Sequence, residues 1–88
     1  MELIFTKSFV KSYTKLPMTA KRRTDAALAL FQEDPFHRDL QNHELKGRLK
    51  GSRSISAGFD LRIIFMTGDE GHAVVTLVKV GSHHQLYP

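Results

Sequence analysis

The sequence has no cysteine and no tryptophan among its 88 residues. Without cysteine the chain cannot form disulfides, use a thiolate nucleophile, or bind zinc or an iron–sulfur cluster through sulfur. No apolar run approaches the roughly 20 residues of a membrane-spanning helix. No basic segment followed by a long apolar core marks a signal peptide at its start. These absences predict a cytoplasmic protein with no membrane partner.

The composition is that of an ordinary folded protein with a basic charge. Hydrophobic residues make up 41% and charged residues 25% of the chain, which predicts one globular domain over residues 1–88. The formal net charge is +4, and a basic balance favours an anionic partner, nucleic acid first. The same charge is common in proteins that bind nothing anionic, so both interpretations stay open.

The hydrophobic pattern of the first part predicts a strand and two helices. Thr6 is a suitable N-cap for a stretch with apolar side chains at helical spacing, and Pro17 ends that stretch. The Asp34-Pro35 step closes a second periodic stretch, and the short link between the two predicts a helical hairpin. The predicted elements are an edge strand at residues 2–5, a helix at 6–16 and a helix at 19–34.

The second half predicts three antiparallel strands after a polar loop. Two apolar runs are typical of central strands, with turn residues around Gly58 and at 67–71, and Gly81 is expected to end the last strand. The expected fold class is therefore α+β, of order β-α-α-β-β-β, with the helical hairpin packed on one face of an antiparallel sheet. The predicted loop is 36–44, and the strands are 48–57, 60–66 and 72–80.

The stretch from His43 to Phe65 carries the strongest functional pattern. Alternation of Lys46, Arg48 and Lys50 predicts three cations on one face of an extended segment. Such a row is costly unless an anion balances it, and phosphate is the candidate. The same cations are compatible with a solvated edge strand, where lysine prevents edge-to-edge aggregation.

Asp60, Arg62 and Tyr87 each have two interpretations. Asp60 and Arg62 share strand parity, so we expect both on one side of the sheet. They form either a surface ion pair of little energetic value or a pair in which Asp60 holds Arg62 to stabilise a phosphorane on RNA. Tyr87 either fixes the chain end to the core or stacks on an unpaired base.

Three of the five histidines are candidates for function. His43 stands before the cationic run, and His83 and His84 follow the expected end of the last strand, where sites are often built on rigid supports. His37 and His72 are interpreted as solvated loop residues. No spacing typical of a metal site occurs, so neither a metal nor another cofactor is expected.

Three motifs, in this order and spacing, resemble the RelE/ParE toxin superfamily and its YafQ-like branch. They are HELKG at 43–47, FDLRIIF at 59–65 and VGSHHQLY at 80–87. The resemblance implies the toxin of a type II toxin–antitoxin system, an endoribonuclease that cuts mRNA in the ribosomal A site. The RNA's own 2′-hydroxyl is the implied nucleophile, and the product is a cyclic phosphate. The implied partners are an acidic antitoxin and mRNA on the ribosome, with operator DNA reached only through the antitoxin.

The resemblance also implies a role for individual residues. Proton transfer would fall to His43, Asp60 and His83, with acid and base not distinguished. Phosphate stabilisation would fall to Arg53, Arg62 and Lys79, and base stacking to Tyr87; the further RNA-binding candidates are Lys46, Arg48, Lys50 and His84.

One residue departs from the pattern, and two other functions stay open. YafQ-like members usually have a histidine before the aspartate, and this chain has Ser56 there. A degenerate toxin that serves only as an antitoxin-binding co-repressor is therefore one alternative. The other is a ParE-like toxin that inhibits gyrase, against which the histidines at 43 and 83 argue.

Overall fold

Two long strands, β4 (Leu61–Gly68) and β5 (Gly71–Ser82), form the centre of the sheet. The computed structural model describes residues 1–87 and pairs these two strands antiparallel. Three shorter strands and three helices surround them. They are β1 (Glu2–Phe5), β2 (His43–Glu44), β3 (Arg53–Ser56), α1 (Lys7–Thr14), α2 (Met18–Glu33) and α3 (His83–Leu86), with 3₁₀ turns at Arg38–Leu40 and Gly47–Leu49.

The five-stranded sheet has the order β1-β5-β4-β3-β2. β1 lies at an edge and runs parallel to β5, whereas all other neighbouring strands are antiparallel. The predicted α+β class, the N-terminal edge strand and the three antiparallel strands are confirmed. β2 and α3 were not predicted, because each has so few residues that no periodicity can develop.

The two long helices begin and end within about two residues of their predicted bounds. Thr6 caps α1 as expected, since its Oγ1 accepts the amide of Phe9 at 3.0 Å. Pro17 occupies the N-cap of α2 with φ −67°. The hydroxyl of Tyr13 donates to Asp25 at 2.8 Å and ties the two helices together. Within the described residues, no helix has both the length and the apolar character needed to cross a membrane.

The core lies between the helices and one face of the sheet. Ile63 and Phe65 of β4 are fully buried there, together with Leu77 of β5 and Phe31 of α2. Because side chains alternate along a strand, Ile64 points to the opposite face. We call that opposite face, turned away from the two long helices α1 and α2, the distal face.

The cationic segment is not a strand, and the prediction of an extended strand from residue 48 is wrong. Gly47 and Gly51 have φ +68° and +95°, which turn the chain, and a 3₁₀ turn lies between them. β3 begins only at Arg53. The alternation expected for Lys46, Arg48 and Lys50 is therefore also wrong, since a 3₁₀ turn repeats every three residues.

Gly81 continues β5 instead of ending it, so the predicted strand break is wrong. Its backbone pairs with Arg62 of β4. A Cβ atom on Gly81 would lie 2.8 Å from Oε1 of Gln85. The missing side chain therefore leaves room for α3 to lie close to the end of the strand.

Candidate active site

Four paired residues lie in a row across the sheet from β2 to β5. The register pairs His43 with Ser54, Ser54 with Ile64, and Ile64 with Lys79. Directly paired residues point their side chains to the same side, so His43 and Lys79 share the distal face. Three strand spacings separate their backbones by roughly 14 Å. Ser54 and Ile64, which lie between them on this face, are both buried, so other residues cover the middle of the row.

A cleft of about 360 Å³, which we call the cationic cleft, opens beside Lys79. It brings Lys46 and Arg48 of the 3₁₀ turn together with Lys79 and Tyr87, although these residues are far apart in sequence. Within residues 1–87, no aspartate or glutamate lines it. The lining residues are Lys46, Arg48, Leu49, Lys79, Gln85, Leu86 and Tyr87.

The short helix α3 positions His83 and Tyr87. Ser82 and Gln85 form a reciprocal capping box: Ser82 Oγ accepts the Gln85 amide at 3.1 Å, and Gln85 Oε1 accepts the Ser82 amide at 2.9 Å. The amide of His83 donates to the carbonyl oxygen of Asp60 at 3.1 Å. The rings of His83 and Tyr87 lie 4.5 Å apart between centroids. These contacts place His83 and Tyr87 side by side at the end of β5.

A backbone carbonyl fixes the orientation of His43. Gln41 has left-handed φ 51° and ψ 44°, and its carbonyl oxygen lies 2.7 Å from Nδ1 of His43. A carbonyl only accepts hydrogen bonds, so Nδ1 must carry the hydrogen. In the neutral ring the lone pair is then on Nε2, and the side chain is exposed. Nε2 of His43 is thus free to accept a hydrogen bond or a proton from the solvent side.

Arg62 is held by oxygen atoms of its own turn and not by Asp60. Its Nη1 donates to the carbonyl oxygens of Phe59 and Leu61, both at 2.9 Å, and to Ser56 Oγ at 3.3 Å. Asp60 lies outside β4, so strand parity does not apply to it. Both residues are described, and no ion pair joins them. The predicted Asp60–Arg62 pair is wrong.

Arg53 lies on the helix-facing side of the sheet, away from the cationic cleft. It pairs with Phe65, donates from Nε to Asn42 Oδ1 at 2.8 Å, and places Nη1 3.5 Å from Glu44. Lys50 and His84 are exposed and lie outside the described lining of the cleft. The structure thus groups Lys46, Arg48, Lys79 and Tyr87, whereas the other candidates, including His43 and His83, lie outside the described lining of the cationic cleft.

His72 is not a solvated loop residue, and that prediction is wrong. It is partly buried at the start of β5, and its ring centroid lies 4.9 Å from that of Phe36 and 5.7 Å from that of Phe65. Its Nε2 lies 3.0 Å from Nδ2 of Asn42, which precedes His43. Burial, and next the positive charge of Arg53, lower the pKa of His72 below the usual 6.5.

We expect the free energy of unfolding to fall as the pH drops below 6.5, because the unfolded chain then binds a proton that folded His72 resists. His72→Phe keeps a ring in the aromatic cluster but cannot titrate. Urea unfolding of both proteins across this pH range measures the effect. The parent should lose more stability than the variant on acidification, and equal losses would contradict the assignment.

Phe59 is a surface residue that sequence reasoning missed. Its side chain is 82% exposed, its φ is +47°, and the guanidinium of Arg23 lies 4.4 Å from its ring centroid. Left-handed φ is rare for a bulky residue. The preceding Gly58 predicts a turn, but the sequence does not indicate which neighbouring residue also has a positive φ.

The described residues offer no obvious metal site. Among residues 1–87, no three His, Cys, Asp or Glu side chains group closely enough to hold an ion.

Comparison with solved structures defines the class of protein. YafQ from E. coli strain BL21(DE3) is similar with a TM-score of 0.80 and 16% identity, over 99% of this chain and 98% of that chain. A copper-bound mutant toxin from Helicobacter pylori has a TM-score of 0.70 and 24% identity, over 99% of each chain. The RelBE2 toxin–antitoxin complex of Mycobacterium tuberculosis has a TM-score of 0.62 and 25% identity, over 93% and 96%. The fold is that of the RelE-type toxins.

The family follows from a match over the whole sequence. The model of the YafQ toxin family, described as the bacterial toxin of a type II toxin–antitoxin system, matches residues 1–88. The chain therefore belongs to the YafQ family of type II toxins. Comparison with curated protein sequences gave no match.

Proposed function

We propose that this toxin is an endoribonuclease that cuts mRNA on the ribosome and thereby inhibits translation. The observation that carries the proposal is the cationic cleft, where Lys46, Arg48 and Lys79 meet Tyr87 with no carboxylate in the described lining. Concentrated positive charge suits a phosphodiester that gains negative charge as it reacts. Membership of the YafQ family supports the same activity.

In the proposed reaction the RNA supplies its own nucleophile. The 2′-hydroxyl oxygen attacks the adjacent phosphorus, and the bond to the 5′-oxygen of the next nucleotide breaks. One group takes the proton of the 2′-hydroxyl, and another gives a proton to the leaving 5′-oxygen. The products are a 2′,3′-cyclic phosphate and a 5′-hydroxyl end.

We assign the role of base to His43 and the role of acid to His83. Gln41 binds the Nδ1 hydrogen of His43, so Nε2 of the neutral ring can accept the 2′-hydroxyl proton. His83 lies beside Tyr87, which lines the cationic cleft. Asp60 stays a third candidate for proton transfer, since its backbone holds that of His83.

Phosphate and base contacts complete the proposed site. Lys46, Arg48 and Lys79 would stabilise the charge on the reacting phosphate from the cleft walls. Three oxygen acceptors limit the motion of Arg62, which suits a role in the same charge stabilisation. Tyr87, partly exposed in the cleft, would stack on an unpaired base.

The proposed partner is an acidic antitoxin, and the proposed location is the cytoplasm. The solved relatives include the RelBE2 complex of M. tuberculosis and an archaeal RelE–RelB complex from Pyrococcus horikoshii. The net charge of +4 on this chain suits an acidic, partly disordered segment that folds across the cationic cleft. Operator DNA would be contacted only through the antitoxin.

A catalytically inactive toxin that acts as a co-repressor with its antitoxin is the second candidate function. Ser56 favours it, because a hydroxyl is a poor base at neutral pH and here plays a structural part. Its Oγ accepts hydrogen bonds from the amide of Gly58 and from Arg62 Nη1, each at 3.3 Å. Ser56 therefore helps to position Arg62.

Inducing the gene alone in a bacterium separates the two candidates. An active nuclease is expected to arrest growth and to create new mRNA 5′-hydroxyl ends within translated regions, since 2′-hydroxyl attack leaves this end. Mapping of mRNA 5′ ends is the measurement. His83→Ala should remove the new ends while its circular dichroism spectrum matches that of the parent. Unchanged growth and unchanged 5′ ends with full-length toxin present would favour the co-repressor.

A further inference from the structure

A second cleft, about 620 Å³ in volume, lies between α1 and the end of β5. Three lysines line it, Lys11 of α1, Lys15 at the C-cap of α1 and Lys79 of β5, and its described lining contains no aspartate or glutamate. Hydroxyl and amide groups of Ser8, Ser82 and Gln85 lie among them. We call it the α1 cleft. Neither the sequence motifs nor the proposed chemistry uses Lys11 or Lys15.

The two α1 lysines are held on one side of a fixed helix. Residues four apart lie on the same helix face, so Lys11 and Lys15 project together about 6 Å apart along the axis. Ser12 lies between them in sequence. Its Oγ accepts a hydrogen bond from the Val80 amide at 3.0 Å and donates one to the Phe9 carbonyl oxygen at 2.9 Å. The helix is therefore tied to β5 at the point where the lysines emerge.

The α1 cleft continues the cationic cleft. Lys79, Gln85 and Leu86 line both of them, so Lys79 stands at their junction. If one phosphate of a polyanion lies beside Lys79, the next phosphates can lie in the α1 cleft beside Lys11 and Lys15. No carboxylate is among the described residues that line this cleft. A single strand of RNA has this character, since it presents one phosphate per nucleotide along a flexible backbone.

We propose that the α1 cleft binds the sugar–phosphate backbone of the RNA strand that continues beyond the cleaved phosphate. Lys11 and Lys15 each neutralise one phosphate, and Lys79 bridges the two clefts. The inference rests on the proposed nuclease function and adds to it an extended RNA path along α1. Because the contacts are to phosphate, they increase affinity without reading sequence.

Binding of a non-cleavable RNA tests this path. The probe is fluorescein-labelled 2′-O-methyl RNA, in a short form of about 4 nucleotides and a long form of about 12. Fluorescence anisotropy of the purified toxin is recorded over a salt series. The test variant is Lys11→Gln with Lys15→Gln. The matched control is Lys7→Gln with Arg22→Gln, which removes the same charge from exposed positions outside the described lining of both clefts.

The test variant is expected to bind the long RNA about tenfold more weakly than the control. The slope of its log affinity against log salt concentration should be smaller in magnitude by about 1.4, because two phosphate contacts on a single strand are lost. Its affinity for the short RNA should equal that of the control. Equal binding of the long RNA by both variants would overturn the α1 path alone. Failure of the parent to bind either RNA would overturn RNA binding in both clefts, whereas the absence of new mRNA 5′ ends after induction would overturn the proposed nuclease. Loss of antitoxin co-purification with unchanged RNA binding would reassign the cleft to the antitoxin.

Discussion

Replacing His43 with alanine is expected to slow RNA cleavage by about 10²–10⁴-fold and to leave the fold intact. The loss has the size of a general base that no longer takes the 2′-hydroxyl proton. The fold should persist because His43 is exposed and its side chain bonds only to the nearby carbonyl of Gln41 within the described structure. Single-turnover cleavage of a defined mRNA on programmed ribosomes is the measurement.

A second substitution separates the base from the hydrogen bond. The amide of His43→Asn can still donate to the Gln41 carbonyl, but it offers no basic nitrogen. If His43 is the base, this variant should be as slow as the alanine variant. If His43 only orders the short strand β2, it should recover most of the parent's rate.

His37→Asn is the matched control for loss of a histidine. The His37 ring accepts the amide of Asp39 at 3.1 Å and caps a 3₁₀ turn, and asparagine is a good replacement at such a cap. This variant should cleave at the parent's rate. Parent-like cleavage by both His43 variants would refute the assignment of His43, while an equal loss in His37→Asn would indicate a general effect of histidine removal.

The parts of the fold that could be predicted are those governed by local rules. The 3.6-residue periodicity, the Thr6 cap and the Asp34-Pro35 step located both long helices, and the apolar runs located β4 and β5. The parallel pairing of β1 with β5 joins residues more than 70 positions apart. No local pattern encodes such a partner, so the sheet order had to come from the structure.

The site was predictable in its residue types but not in its geometry. The strand parity applied to Lys46, Arg48 and Lys50 assumes extended backbone, and Gly47 and Gly51 break that assumption. Parity failed at Asp60 for a related reason, since the turn before β4 includes left-handed φ at both Gly58 and Phe59. Lys46, Arg48 and Lys79 still meet in one cleft. Tertiary packing brings them together, not a shared strand face.

Phe65→Ala is expected to lower the free energy of unfolding by about 3–5 kcal/mol, the usual cost of removing a buried aromatic ring. Phe65 is fully buried on β4, and its ring meets that of Phe31 edge-on at 4.9 Å and that of His72 at 5.7 Å. Small domains are stable by only about 5–15 kcal/mol. The variant should therefore unfold at a much lower urea concentration, with a substantial unfolded fraction near body temperature.

Phe59→Ala provides the control on the surface. It removes the same ring from a side chain that is 82% exposed, where it loses mainly the contact with Arg23, worth about 0.5–1 kcal/mol. Phe65 also pairs with Arg53 of β3 and with Leu77 of β5, so its loss loosens the centre of the sheet that supports the site. Toxicity should therefore be lost in Phe65→Ala in proportion to its unfolded fraction and should return at lower temperature. Similar urea midpoints for the two variants would show that Phe65 does not stabilise the core to the extent that its burial indicates.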